Sequence, residues 1–296
     1  MISIVTDKDL GNYNIDDELI HKYDNVTSYK YGICKSELTI ISSTEDSFQE
    51  DKEIYYVFDC SGEDALFHWI TETFIFYPLL LKLEKTYQNI KILTTNTKKY
   101  VKNIFKFFNI SIEITNTIKP NNIMFFSPVV SMNDLDCKKD LYAKYIHLYV
   151  DNINLLLSNT FLPSNKVILL PRNNKDNYIN NDRIVPGIED LEQNIINNGG
   201  LVLNTYQINN IYIQWSIIKS SEIIILDYGS SFFFNCLFLK NKKIILLNNF
   251  KMMWGQQNCL SIKISTDIIS KNNTLIIVEP DDSNTFTYND IVRYLE

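Results

Sequence analysis

Residues 221–239 constrain this chain more than any other stretch. They read Ser-Glu-Ile-Ile-Ile-Leu-Asp-Tyr-Gly-Ser-Ser-Phe-Phe-Phe-Asn-Cys-Leu-Phe-Leu. The unbroken run of Ile223, Ile224, Ile225 and Leu226 suits a strand buried on both faces, as in a parallel sheet. Asp227 and Tyr228 end it. Gly229 permits a tight turn, Ser230 and Ser231 are good helix N-caps, and an apolar helix follows. A strand, a small-residue turn and a helix in that order leave backbone N–H groups free at the turn, where a phosphate can sit. A βα turn without a ligand has the same signature, so the weight of this one comes from its neighbours.

Those neighbours repeat the plan. Strands are expected at 54–58, 91–94, 111–114 and 122–126, with helices at 65–85, 98–108 and 140–157. Residues 159–165, with Pro163, read as a linker, and the pattern then begins afresh. Strands are expected at 167–170, 201–203, 223–226, 244–247 and 275–278, and helices at 188–198, 210–219, 232–239 and 288–295. Short strands at 1–5 and 38–41 precede all of these. Strands alternating with helices imply parallel sheets wrapped by helices. The expected fold is α/β, with two Rossmann-like domains facing a cleft. Their bounds are 1–160 and 161–280, and a final segment, 281–296, carries a helix that crosses back to the first domain. Ligands of such sheets bind beyond the carboxyl ends of the strands.

Composition narrows the partners. The chain has 296 residues, 45% hydrophobic and 21% charged, which suits a packed protein. Its wealth of Asn, Ile and Lys beside only 8 Gly is what an AT-rich genome writes. A net charge of -7 with no basic stripe disfavours a nucleic-acid partner. Cys34, Cys60, Cys137, Cys236 and Cys259 are odd in number and lack zinc-ligand spacing, so they are expected to be reduced thiols. Asp7 and Lys8 come too early for a signal peptide. The greasiest stretch, 67–83, is interrupted by His68, Glu72, Pro78 and Lys82, so no transmembrane segment is expected. The expected location is cytoplasmic.

Several residues carry chemistry. Leu170-Pro171-Arg172 ends the first strand of the second half, where the planar fork of Arg172 suits a diphosphate or carboxylate. Arg183 is either a second anion ligand or a solvated charge near a helix start. Gln214 and Asn235 lie on the helices either side of the 227–231 turn and either brace it or sit at a helix surface. Tyr206 follows another strand of that sheet and is placed to stack on a base. In the first half, His68 and Glu72 are four apart and share one helical face within an apolar stretch. They are either a general base with its partner or a buried hydrogen bond that holds the helix. No third ligand accompanies them, so no metal is expected.

His68-Trp69 with Glu72 resembles the early histidine–tryptophan–glutamate motif of glycosyltransferase family 61, the capsular-polysaccharide type. Leu170-Pro171-Arg172 resembles that family's strand ending in arginine, and Arg183-Ile184 its following arginine segment. Gln214 with residues 220–225 is similar to its glutamine-bearing helix and strand. Gly229-Ser230 and Asn235 are similar to its histidine–glycine–small turn and later asparagine. The ordered set spans residues 63–248. Two departures stand out: Tyr228 occupies the place of the histidine before the glycine, and Pro186-Gly187 that of an Asn-Glu pair.

The resemblance implies an inverting, GT-B-type transferase that needs no cofactor or metal. It would move a sugar from a nucleotide-sugar donor, commonly a UDP-sugar, to a glycan acceptor. Arg172, Arg183, Tyr206, Gln214, Tyr228, Gly229, Ser230, Ser231 and Asn235 would line the donor side. His68 and Glu72 would act from the acceptor side, with His68 as base. The alternatives are a catalytically inactive nucleotide- or sugar-binding protein, and a pyruvyl transferase or nucleotide-sugar epimerase with two similar domains.

Overall fold

Apolar strands and amphipathic helices alternate into two α/β units, Met1–Asn152 and Ile153–Glu296, each with its own sheet. The computed structural model describes residues 21–24, 29–31, 36–38, 52–58, 69–87, 89–93, 99–115, 122–127, 139–160, 162, 164–171, 185–205, 207–208, 210–248, 260–280 and 285–296. The strand expected at 1–5 lies outside these residues, as does the loop at 173–182.

The first unit holds β1 (His21–Asp24), β2 (Tyr29–Tyr31), β3 (Ser36–Leu38), β4 (Glu53–Val57), β5 (Ile90–Leu93), β6 (Ile114–Thr115) and β7 (Asn122–Phe126). β2 and β3 form a separate antiparallel ribbon. The sheet runs β1-β7-β4-β5-β6; β7, β4, β5 and β6 are parallel and β1 joins β7 antiparallel. Helices α1 (Tyr77–Thr86), α2 (Lys99–Phe107) and α3 (Lys139–Leu156) belong to the connections. β4 is central because Tyr55, Tyr56 and Val57 are all buried. Around it packs an aromatic cluster in which Phe74 stacks on Trp69 and Tyr77, at ring-centroid distances of 4.9 and 5.3 Å.

The continuous helix expected at 65–85 is not what forms among the described residues. Trp69–Thr73 winds as a π-turn, Phe74–Phe76 as a 3-10 turn, and only Tyr77–Thr86 is α-helical. Pro78 lies in the first turn of α1, where its missing N–H costs nothing but cannot extend a helix arriving from upstream. Upstream of it, Ile70, Thr71 and Thr73 are β-branched and stiff, and the rings of Trp69, Phe74 and Phe76 are all buried. Burying those rings on one side requires tighter and wider turns than a regular α-helix provides.

The second unit is wholly parallel. β8 (Val167–Leu170), β9 (Leu201–Val202), β10 (Ile223–Asp227), β11 (Lys243–Leu247) and β12 (Thr274–Val278) lie in the order β12-β11-β10-β8-β9. Helices α4 (Ile188–Asn197), α5 (Ile211–Ser220), α6 (Ser230–Cys236), α7 (Leu260–Asn272) and α8 (Tyr288–Val292) connect and cover it. Val167, Leu169, Ile223, Ile225, Ile245 and Leu247 form one face with Ile188, Leu191 and Ile195 of α4 and Ile291 of α8. Alternation turns Ile224 and Leu226 to the other face, and both are fully buried. The chain is thus covered on both sides of β10, as its aliphatic run demands.

One further feature differs from expectation. Helix α7 was not anticipated: its Ser-Ile-Lys-Ile-Ser-Thr composition has weak helical propensity, and burial of Ile264, Ile268 and Ile269 compensates. The final helix, α8, belongs to the second unit. It packs on the second unit's own core through Phe286 and Ile291, and the Tyr288 amide donates to Asp190 at 3.2 Å. The two units divide inside α3: Asn152 donates to the phenolic oxygen of Tyr77 in one unit, and Asn154 to the carbonyl of Phe238 in the other. Asn89, Asn109 and Asn241 take left-handed backbone at turns.

Candidate functional site

The order of the second sheet selects one place. In chain order its strands lie 2-1-3-4-5, so connections leave β8 and β10 toward opposite sides. Between the carboxyl ends of such a pair the loops diverge and leave a crevice, the usual ligand position in open α/β sheets. β8 and β10 end in register, Leu170 beside Leu226. Two segments singled out in the sequence therefore leave neighbouring strands at the same level: Leu170-Pro171, leading to Arg172, and 227–231. Arg172, Arg183 and Tyr206 lie outside the described residues.

The turn after β10 is built around Gly229, whose φ of 146° and ψ of -161° fall in a region that side-chain-bearing residues scarcely enter. The amide of Tyr228 donates to the carbonyl of Leu247 at 3.3 Å, and the amide of Phe232 to that of Gly229 at 3.1 Å. Tyr228 is half-buried and lays its ring against Phe232 and Phe233, each 5.7 Å away between centroids. The side chain of Ser230 lies outside the described residues.

Behind the turn sits a buried amide relay. Gln214, from α5, donates through Nε2 to Oδ1 of Asn235 at 2.7 Å. Asn235 in turn donates through Nδ2 to Oγ of Ser231 at 3.0 Å. Gln214 and Asn235 are 4% and 1% exposed, so neither is a helix-surface amide. In so apolar a setting each unmade hydrogen bond would be expensive, and the pair fixes the relation of α5 to α6. Asn210 caps α5 by accepting from Tyr212 at 3.0 Å and Ile213 at 3.4 Å, which sets the helix phase that delivers Gln214 inward.

Asp227 carries no role of its own in the sequence reading. It ends β10, is 2% exposed, and continues the alternation of Ile223 and Ile225. A buried carboxylate at the carboxyl end of a strand beside a crevice is a common functional placement. The available signal was a charge closing an otherwise apolar run. Cys236, on α6, is a poor nucleophile: burial pushes its thiol well above the ordinary range.

In the first unit β4 and β7 are parallel neighbours that end in register, Val57 beside Phe126. The amide of Ser127 donates to the carbonyl of Val57 at 2.9 Å, and its hydroxyl to that of Thr73 at 3.3 Å. The backbone of Glu72 lies on the π-turn, flanked by buried Trp69, Thr71 and Thr73. The side chain of Glu72 and the whole of His68 lie outside the described residues. Among the described residues no group of three His, Cys, Asp or Glu could hold a metal ion, and no helix is long and apolar enough to cross a membrane. Neither a family model nor a curated protein matches this chain.

Proposed function

We propose that this protein is an inverting glycosyltransferase. It takes a sugar from a nucleotide-sugar donor of the UDP class and places it on a glycan acceptor, using two Rossmann-like units in a GT-B arrangement and no essential metal. The observation that carries this reading is the switch point of the second sheet. Two stretches chosen from sequence for anion binding leave β8 and β10 side by side, at the position where such sheets hold ligands. The relay of Gln214, Asn235 and Ser231 behind the turn adds a rigid support of the kind a binding loop needs.

In this reading Arg172 and the backbone N–H groups of residues 229–231 hold the donor diphosphate, with Arg183 and Tyr206 completing its surroundings. The acceptor hydroxyl gives its proton to His68 as its oxygen attacks the anomeric carbon. The bond from that carbon to the diphosphate oxygen breaks, and the nucleoside diphosphate leaves with the electron pair. Glu72 orients His68 and stabilises its charged form. Attack opposite the leaving group inverts the anomeric centre.

Nucleoside diphosphate release from a panel of UDP-sugars tests the activity, and calorimetry tests the site. Arg172→Ala removes a charged hydrogen bond and should weaken UDP binding about ten- to a hundredfold. Unchanged UDP affinity in that variant would rule out the donor assignment. His68→Ala should lower turnover by about 10²–10⁴-fold with donor binding intact; a lower melting temperature with near-normal turnover would make the histidine structural. A second reading, an inactive nucleotide- or sugar-binding protein, is favoured by Tyr228, whose packed ring stands where the family has histidine. Bound nucleotide with no turnover would select it.

A further inference from the structure

We propose that β12 is a self-association edge: Thr274–Val278 pairs antiparallel with the same strand of a second copy of this chain, joining two five-stranded sheets into one. β12 is the outer strand of its sheet and pairs, among the described residues, with β11 alone. Its sequence, Thr-Leu-Ile-Ile-Val, contains no proline and no charge, the devices that usually guard an edge. Ile277 on it is 55% exposed, the most of any large hydrophobic among the described residues.

The occupant follows from what the edge requires. Its outward backbone groups need another strand, and its exposed Ile277, beside half-buried Leu275, needs an uncharged one. A second β12 meets both conditions. Full overlap of the five residues sets a two-fold axis at Ile276. It places Ile277 of each copy directly across from Leu275 of the other, on one face, twice. The flanks decide direction. Exposed Lys271 precedes the strand, and exposed Glu279, which accepts from Asn248 at 2.7 Å, follows it. Antiparallel pairing brings each Glu279 toward the partner end that carries Lys271, whereas parallel pairing sets like charge against like. The closed two-fold contact leaves neither β12 free to recruit a third copy.

Sedimentation velocity and light scattering on the full chain, over a broad range of concentration, test this. The wild type should shift from one chain mass to twice that mass. Ile277→Lys should weaken association roughly ten- to a hundredfold, because the lost contact occurs twice across the axis. Ile277 is exposed in the single chain, so the variant should melt like the wild type. Hydrogen exchange on the wild type should show residues 274–278 gaining protection as concentration rises. A chain that stays monomeric throughout, a variant that pairs as well as the wild type, or concentration-dependent protection confined to other elements would each overturn the proposal.

Discussion

On one face of β10 the side chains that meet are mostly Ile, Leu and Val, with Phe286 among them; around β4 they are mostly rings. The two sheets share a strand–helix logic but are filled with different material. The aliphatic face spreads its burial over many small pieces. The aromatic unit concentrates it in a few large ones, and its tyrosines bring hydroxyls inside. Burial pushes the phenols of Tyr56, Tyr77 and Tyr149 well above their ordinary range, so they remain neutral donors and acceptors. The aromatic core should therefore be sensitive to single truncations, and the aliphatic one to backbone fit.

The largest expected effect tests that contrast directly. Phe74 touches the rings of Phe58, Trp69, Tyr77, Phe105, Phe108 and Tyr149. Phe74→Ala should cost about 3–5 kcal/mol by the measured range for buried phenylalanines. Hydrogen exchange should show the loss in β4, β5 and β7 while β10 and β11 keep their protection. Equal loss in both sheets would break the comparison, because the two cores would then melt as one.

A backbone change in the second unit comes next. Gly187 has a φ of 84°, and a Cβ there would lie 2.0 Å from the carbonyl oxygen of Phe286. Gly187→Ala should cost about 1–3 kcal/mol, the usual range for imposed backbone strain. The loss should appear as early exchange in α8 and the residues before it. A variant as stable as the wild type, with α8 still protected, would show that this fit is looser than the geometry implies. Gly199 serves as the control: its φ is 76° but a Cβ would meet nothing within 4 Å.

The smallest effect sharpens the comparison at a sheet surface. Lys91 on β5 bridges Glu53 at 3.0 Å and Glu113 at 3.6 Å, tying the strand ends beneath the aromatic core. Its hydrogen bond to Glu53 holds its ammonium above the ordinary range. A pKa raised by folding gives stability that is present below the unfolded value, about 10.4, and lost as pH rises through the folded one. Lys91→Met should cost about 0.2–1 kcal/mol at neutral pH, and nothing once the wild-type lysine is neutral. Urea midpoints at neutral and strongly alkaline pH measure both arms. A difference that grows with pH would contradict the sign.

Legibility in the sequence followed the same divide. The strands of the second unit could be read because Ile and Leu runs bounded by polar residues have one reading, and their paired ends set Leu170 beside Leu226. The buried hydrogen bonds of Gln214 and Asn235 could be suspected from their positions but not seen, since an amide gives no sign of which way its helix is turned. The stretch 69–77 misled because rings and β-branched residues at helical spacing mimic an amphipathic helix. The competition that broke it, between ring burial and hydrogen-bond register, is decided in three dimensions. Asp227 draws no role of its own from sequence because a charge ending a strand reads first as a stop signal.

The left-handed asparagines carry a consequence for how this chain can drift. Asn89, Asn109 and Asn241 stand with φ of 63°, 55° and 59°, where glycine is the least strained residue and asparagine the next. With only 8 glycines in its length, the chain turns these corners with the residue that adenine-rich codons supply. Asparagine and lysine codons differ by a single base, so the same mutational pressure that filled these positions constantly offers them lysine. Lysine gains nothing from the short side chain that lets asparagine bond its own backbone there. At these three corners nucleotide bias and steric selection pull in opposite directions. The asparagines are thus the places where a change silent to hydrophobicity and to every side-chain contact would still be felt.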